Sequence, residues 1–352
     1  MKKQLVAIAI STALTGTAVS GNAMEVIDKK LEIYGKVHLS ADIADTDGDV
    51  DNDGLSISSN SSRLGFKGEL PAGSVKFVYQ LEQEVNLDDG DDGTFSSRNS
   101  FAGLKGGFGK LVAGKHDTPF KTIGSKWGIF GDTIGDRRMI LGASYASGNQ
   151  LNERVNNSLL YEYKNDAFIL QAQYAVEPEG QSGSQDNTDE NVTSVGLRGK
   201  LAGFFYGVGY ESWEQHSNIG DGSATRLSLG FKFGFGSIAA IWENIDSDDN
   251  PAEWNRDVMG VNAKIKIGAG DVRVQYLMAD DAEGTTDTGA SNVSVGYFHK
   301  LDKKMQVYAA YSATDNDTNA DFKAVDGGHG DEVGGPTGGG PSAISLGMIY
   351  KF

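Results

Sequence analysis

Ser342-Ala343-Ile344-Ser345-Leu346-Gly347-Met348-Ile349-Tyr350-Lys351-Phe352 ends the chain, and its side chains alternate. Ile344, Leu346, Met348, Tyr350 and Phe352 are apolar, while Ala343, Ser345, Gly347 and Lys351 between them are small or polar; only Ile349 breaks the pattern. A period of two puts successive side chains on opposite faces of a strand. Residues 31–43 repeat the pattern, with Leu31, Ile33, Val37, Leu39 and Ile43 on one face and Glu32, Lys36, His38, Ser40 and Asp42 on the other. Similar faces recur along the chain, for instance Leu227-Leu229-Phe231-Phe233 and Val272-Val274-Tyr276-Met278, set against Arg226, Lys232, Arg273 and Gln275. A soluble sandwich would also produce such faces, so alternation by itself leaves two architectures open.

Three features favour a transmembrane barrel. Tight connections (Pro71-Ala72-Gly73, 106–109, Asn165-Asp166, Ala202-Gly203, 234–236, 268–270, 302–304) alternate with long acidic ones (42–53, 88–92, 177–190, 246–249, 280–287, 315–331). Short periplasmic turns and long external loops make that rhythm in outer-membrane barrels. The polar faces carry full charges at mid-strand, which suits a wet lumen, and the last residue is aromatic. Sixteen segments result: 31–43, 62–70, 75–86, 98–105, 110–117, 157–164, 167–177, 192–201, 204–214, 225–233, 237–246, 256–267, 271–280, 291–301, 305–314 and 342–352. An even count lets the first and last strands pair and removes the sheet edge. The expectation is an all-β, antiparallel barrel of about sixteen strands enclosing an aqueous channel, with no second domain.

Composition agrees. Glycine supplies 48 of 352 residues, proline only 6 and cysteine none. Proline lacks the backbone donor that a closed sheet in lipid needs, and the absence of cysteine excludes a disulfide scaffold. No run of 18 apolar residues occurs, which excludes helical spans but not a barrel. Lys2 and Lys3, the apolar stretch Leu5 to Leu14 and the small residues Gly21-Asn22-Ala23 read as a signal peptide over 1–23, leaving a barrel domain over 24–352. Loss of the leader moves the net charge from −17 to −19, which disfavours nucleic acid as a partner.

One connection differs from the rest. Thr118 to Asn156 is the longest, and it carries Phe120, Trp127, Ile129, Phe130, Met139, Ile140, Leu141 and Tyr145 instead of a run of acids. Its apolar side needs a cover. Folding into the barrel would supply one and narrow the pore; packing over the rim or against a neighbouring subunit is the alternative. Asp45, Asp47, Asp49, Asp51 and Asp53, spaced by two with glycine at 48 and 54, have the composition of a calcium loop. Ser56 stands where an EF-hand would need glutamate, so a solvated acidic loop competes with metal binding. Enzymatic signals are weak: the five histidines are scattered, His116-Asp117 ends a strand, and the glycines of 334–340 lack the lysine and helix of a phosphate loop.

Lys30-Leu31-Glu32-Ile33-Tyr34-Gly35-Lys36, Ser62-Arg63-Leu64-Gly65-Phe66-Lys67-Gly68-Glu69, Arg98-Asn99-Ser100-Phe101-Ala102-Gly103-Leu104-Lys105, Gly109-Lys110-Leu111-Val112-Ala113-Gly114-Lys115 and the closing Ile349-Tyr350-Lys351-Phe352 resemble the general Gram-negative porins. The resemblance implies a sixteen-stranded, homotrimeric barrel in outer-membrane lipid and lipopolysaccharide that passes small hydrophilic solutes without a cofactor. It also implies a third external loop folded inside as an eyelet, facing a ladder of basic residues. By motif, Lys36, Arg63 and Arg98 fall on that ladder, and Arg154 by position. The family's loop carries a Pro-Glu-Phe-Gly type motif, whereas Gly128-Ile129-Phe130-Gly131-Asp132-Thr133 has Ile129 in place of the glutamate. Asp132 and Asp136 are the nearest acids, offset by Arg137 and Arg138, and the expectation is an anion-preferring throat despite the acidic total. A substrate-specific channel with a saturable site, and an outer-membrane barrel enzyme, are the alternative functions.

Overall fold

In the computed structural model, residues 23–48, 53–88, 95–179 and 190–352 are described; of the expected leader only Ala23 lies among them. Sixteen wall strands follow in order: β1 Leu31–Asp45, β2 in two pieces (Gly54–Ser59 and Arg63–Ala72), β3 Val75–Val85, and β4 in two pieces (Phe95–Ser97 and Ser100–Gly106). Next come β5 Gly109–Asp117, β6 Arg154–Lys164, β7 Phe168–Val176, β8 Asn191–Leu201, β9 Phe204–His216 and β10 Gly220–Phe233. The last six are β11 Gly236–Ser247, β12 Arg256–Ile267, β13 Gly270–Ala279, β14 Ala290–Lys300, β15 Met305–Asn316 and β16 Ser342–Lys351. Each strand pairs antiparallel with the next. A short strand, Ala23–Ile27, folds back on the start of β1.

Closure is by β16 against β1, in register from Lys36↔Lys351 to Asp45↔Ser342. Phe352 completes it: its N–H donates to the Gly35 carbonyl at 3.1 Å, and the Gly35 N–H donates to the Phe352 carbonyl at 3.0 Å. A Cβ on Gly35 would lie 2.3 Å from the Phe352 ring and 2.9 Å from the Arg63 carbonyl, so only glycine fits at this seam.

Burial decides between barrel and sandwich. Leu346 is 62 % exposed and Ile344 52 %, whereas Ser345 between them is fully buried. The apolar faces point outward, as a wall in lipid requires, and the polar faces point inward. The apolar interior is correspondingly not a layer between sheets. It lies inside the lumen, where Trp127, Met139, Ile140 and Leu141 pack on Ile241, Val258 and Leu277, and where Phe130 and Ile134 meet Phe298 and Tyr308.

Several strand ends differ from the sequence expectation; β6, for one, starts at Arg154 and β10 at Gly220, each before the expected 157 and 225. The first acidic run does not begin a loop at Asp42, because β1 continues to Asp45 and β2 already starts at Gly54. β2 is then interrupted at 60–62, where Ser61 takes φ 49°, since Lys36 pairs with Arg63 but Leu39 pairs with Ser59. β4 is interrupted at Arg98 and Asn99. Extra residues of this kind bend a strand and re-aim its side chains.

Candidate functional site

The connection between β5 and β6 lies within the barrel. Helix α1, Pro119–Trp127, begins at Thr118, whose Oγ1 accepts from the Lys121 N–H at 3.1 Å, with Pro119 in the first turn. It lies against lumen-facing glycines of β8 and β9: a Cβ on Gly196 would come 3.0 Å from Pro119, and one on Gly209 would come 3.0 Å from Ile123. Glycine on the wall is what admits a helix there.

Lumen-facing polar side chains then hold the loop along its length. Arg226 and Glu243, cross-strand partners in β10 and β11, are both fully buried and ion-paired. Arg226 Nη1 donates to the Phe120 carbonyl at 3.2 Å and to Asn152 Oδ1 at 3.1 Å, while Glu243 Oε1 accepts from the Gly142 N–H at 2.7 Å. One buried pair therefore pins the loop near both ends. Between them, Asn262 donates to the Trp127 carbonyl, Arg273 to the Ile129 carbonyl and Gln275 to the Gly135 carbonyl, at 3.0, 2.6 and 3.0 Å. A cover over the rim or against another subunit is not needed, because the lumen wall supplies it.

The loop tip reaches the opposite wall at Asp132, with φ 60°. Arg63, Lys36 and Lys351 stand side by side across β2, β1 and β16, an arrangement in which like charges repel. Asp132 Oδ2 sits among them, 2.7 Å from Lys36 Nζ and 3.1 Å from Arg63 Nη2, and Arg138 Nη2 approaches its other oxygen at 3.2 Å. Burial works to raise the Asp132 carboxyl, but Lys36, Arg63 and Arg138 outweigh it and hold the group well below the usual carboxylate range. A cavity of about 310 Å³ remains beside Tyr34, Lys36, Arg63 and Asp132.

The sequence expectation set loop acids across open water from the basic ladder. Asp132 instead touches the ladder, and the gap there becomes an ion pair. Asp136 does not face the channel at all: it is fully buried, accepts from the Asp132 N–H at 2.7 Å, and is neutralised by Arg138 at 2.9 Å. Its role is to brace the loop. Arg98 lies in the lumen, brought there by the break in β4, with Nε 2.9 Å from Glu82 Oε1 and a further ion pair to Glu84. Arg154 stands at the root of the loop, 3.1 Å from Asp117, which also binds Lys121 at 2.8 Å.

Glu82, Glu84 and Asp117 were not among the expected site residues. Strand parity was the available signal, since Glu82 and Glu84 alternate with the apolar Leu81 and Val85 and so face the lumen with the ladder. His116 Nδ1 donates to the Asp117 carbonyl at 2.7 Å and forms no reactive pair with the Asp117 carboxylate. In the first external loop, Asp45 accepts from the Asp47 N–H, Asp53 from the N–H and hydroxyl of Thr46, and Asp47 from the Gly340 N–H. Asp49 and Asp51 lie outside the described residues, among which no group of three acids is close enough to share an ion.

A closed sixteen-stranded barrel, an inward loop and a charged constriction are the parts of a diffusion pore, and residues 9–319 match the sequence profile of the Gram-negative porins. The chain belongs to that family. Outer membrane porin protein 32 of Delftia acidovorans is 26 % identical to this porin over 337 residues, 88 % of each chain. The anion-selective porin from Comamonas acidovorans superposes with a TM-score of 0.76 at 20 % identity, covering 92 % of this chain and 99 % of that one. OmpT of Vibrio cholerae, solved in a trimer form, superposes at 0.69 with 19 % identity over 92 % of this chain and 99 % of that one. The porin is thus an outer-membrane channel for passive diffusion of small hydrophilic solutes.

Proposed function

We propose that this porin passes anions in preference to cations, without covalent chemistry, as a homotrimer whose leader 1–23 is removed on export. The observation that carries the preference is the charge of the linked eyelet network. Lys36, Arg63, Arg98, Arg137 and Arg138 outnumber Asp132, Asp136, Glu82 and Glu84, and Arg154 with Lys121 outnumber Asp117. An isoleucine, Ile129, stands on the loop where a carboxylate would offset the excess. The acidic external loops raise the local cation concentration outside, but the narrowest charged section sets what passes. The trimer proposal is supported by OmpT of Vibrio cholerae, which is solved in a trimer form.

The test is the zero-current potential of reconstituted channels across a potassium chloride gradient. Its sign should report chloride preference, and Arg63→Gln with Arg98→Gln should move it toward cations. An unchanged potential in that variant would overturn the eyelet assignment.

A further inference from the structure

Below the loop, toward the short turns, the lumen widens into a cavity of about 850 Å³. Lys126 and Trp127 of α1 form part of its roof, and residues of the turns 164–168 and 233–237 part of its floor. Of the six lysines that line it, five are Lys126, Lys164, Lys200, Lys232 and Lys266. Among the described residues, none of the five has a carboxylate within ion-pair distance, and Asp166 is the one acid in the lining. Two further lining cations are partnered, Arg198 with Gln171 Oε1 at 2.6 Å and Lys264 with Asp271 at 3.3 Å.

The cations share the cavity with apolar surface from Ile123, Trp127, Ile169 and Phe205. Lys232 Nζ stands 5.7 Å from the centre of the Phe205 ring, so charge and aromatic face are presented together. Burial lowers the ammonium of Lys126 most, and the nearby Arg198 and Lys200 crowd it with like charge against the opposing pull of Asp117. A monovalent ion relieves such crowding at one point only. A polyanion relieves it at several, and an apolar body on that polyanion would also cover the aromatic wall.

We infer that this vestibule is a binding site for organic anions that carry two or more carboxylates on an apolar or aromatic body. The inference deepens the channel reading and rests on it: solutes would be held here between the eyelet and the periplasmic mouth. Its volume lies within the roughly 300–1,000 Å³ usual for small-ligand pockets. Inorganic anions of the same charge lack the apolar part and would bind more weakly.

Calorimetric titration of the detergent-solubilised full chain with benzene-1,3,5-tricarboxylate tests this directly. Saturable binding is expected, weakened about tenfold or more by Lys200→Gln with Lys232→Gln. Asp166→Asn should tighten it, a gain that misfolding cannot imitate. Sulfate should bind more weakly than benzene-1,3-dicarboxylate, which carries the same charge. Absence of binding, indifference to these substitutions, or equal affinity for sulfate and the dicarboxylate would overturn the inference. Conductance in potassium chloride is measured separately: an anion-preferring current without tricarboxylate binding sinks the vestibule and leaves the channel reading intact, whereas binding without anion preference does the reverse.

Discussion

Cations gather at two levels of this pore, the eyelet and the vestibule beneath it, and the wall treats them in opposite ways. At the eyelet each of Lys36, Arg63, Arg98 and Arg154 has a carboxylate within 4 Å, drawn from Asp132, Glu82, Glu84 or Asp117. In the vestibule Lys126, Lys164, Lys200, Lys232 and Lys266 line the space with Asp166 alone among the described acids. All are basic side chains, mostly arginine at the eyelet and lysine in the vestibule, yet their electrostatic consequences differ. A paired cation acts at a distance mainly as a dipole, which fixes position and shapes a narrow passage. An unpaired one keeps its full charge and collects counter-ions. Counting basic residues along a pore would miss this distinction, because the partner decides what each cation does.

The distinction exists because the loop divides the lumen, so detaching the loop should erase it. Glu243→Ala removes the acceptor shared by Arg226 and the Gly142 N–H and leaves a buried guanidinium uncompensated. A stability loss of about 3–5 kcal/mol is expected, together with a conductance well above that of the parent channel. Denaturant unfolding and single-channel current measure the two, and a variant with unaltered conductance would show that the pair does not hold the constriction.

A smaller change should make the eyelet behave like the vestibule. Asp132→Asn leaves Lys36, Arg63 and Arg138 without their shared carboxylate. One unit charge at ~4 Å in water is worth ~1 kcal/mol, so chloride preference should rise about fivefold. Zero-current potentials check this, and a shift toward cations would contradict the pairing scheme. Affinity in the vestibule should stay as it was.

The smallest effect should come from pH. Asp326, in the external connection between β15 and β16, is buried, and this pushes its carboxyl up to about 6 in spite of the nearby Lys323 and Arg138. Above that pH it is an anion close to Arg138 and adds to the compensation of the eyelet. Below it, the proton removes that charge, and chloride preference should increase slightly between pH 7 and pH 5. The difference between the parent channel and Asp326→Asn isolates this group from others that titrate. Identical pH profiles for the two would mean that Asp326 does not reach the eyelet field.

Much of the wall was legible because its signal is local. Alternation at 344, 346, 348 and 350 is enforced by lipid on one side and water on the other, and each strand reports that division independently of its neighbours. The inward fold of 118–153 was also legible in outline, since Phe120, Trp127 and Ile140 cannot remain in water at such density. Alternation with Leu64 gave the inward aim of Arg63, but the bends beside Arg63 and at Arg98 were less accessible. Arg63 stands just after the break in strand register at 60–62 and Arg98 within the one at 98–99, and a bulge depends on how two strands match and not on the composition of either. Asp136 illustrates the same limit. Its neighbours Arg137 and Arg138 in sequence mark it as compensated, but its complete burial follows from a loop that closes on itself.

Strand number, the outward apolar faces, the alternation of short turns with long loops and the presence of a covered loop follow from the chain alone, because each arises from the contact of a short segment with its solvent. The pairing of charges does not. Asp132 meets Lys36 across 96 positions of sequence, and Lys36 meets Lys351 only where the barrel closes. Coulombic energy depends on distance in space and on the surrounding dielectric, and both are set by the closed wall and the loop inside it. The residues of a basic throat could be named from the sequence; which of them remain free to act on an ion was settled by the fold.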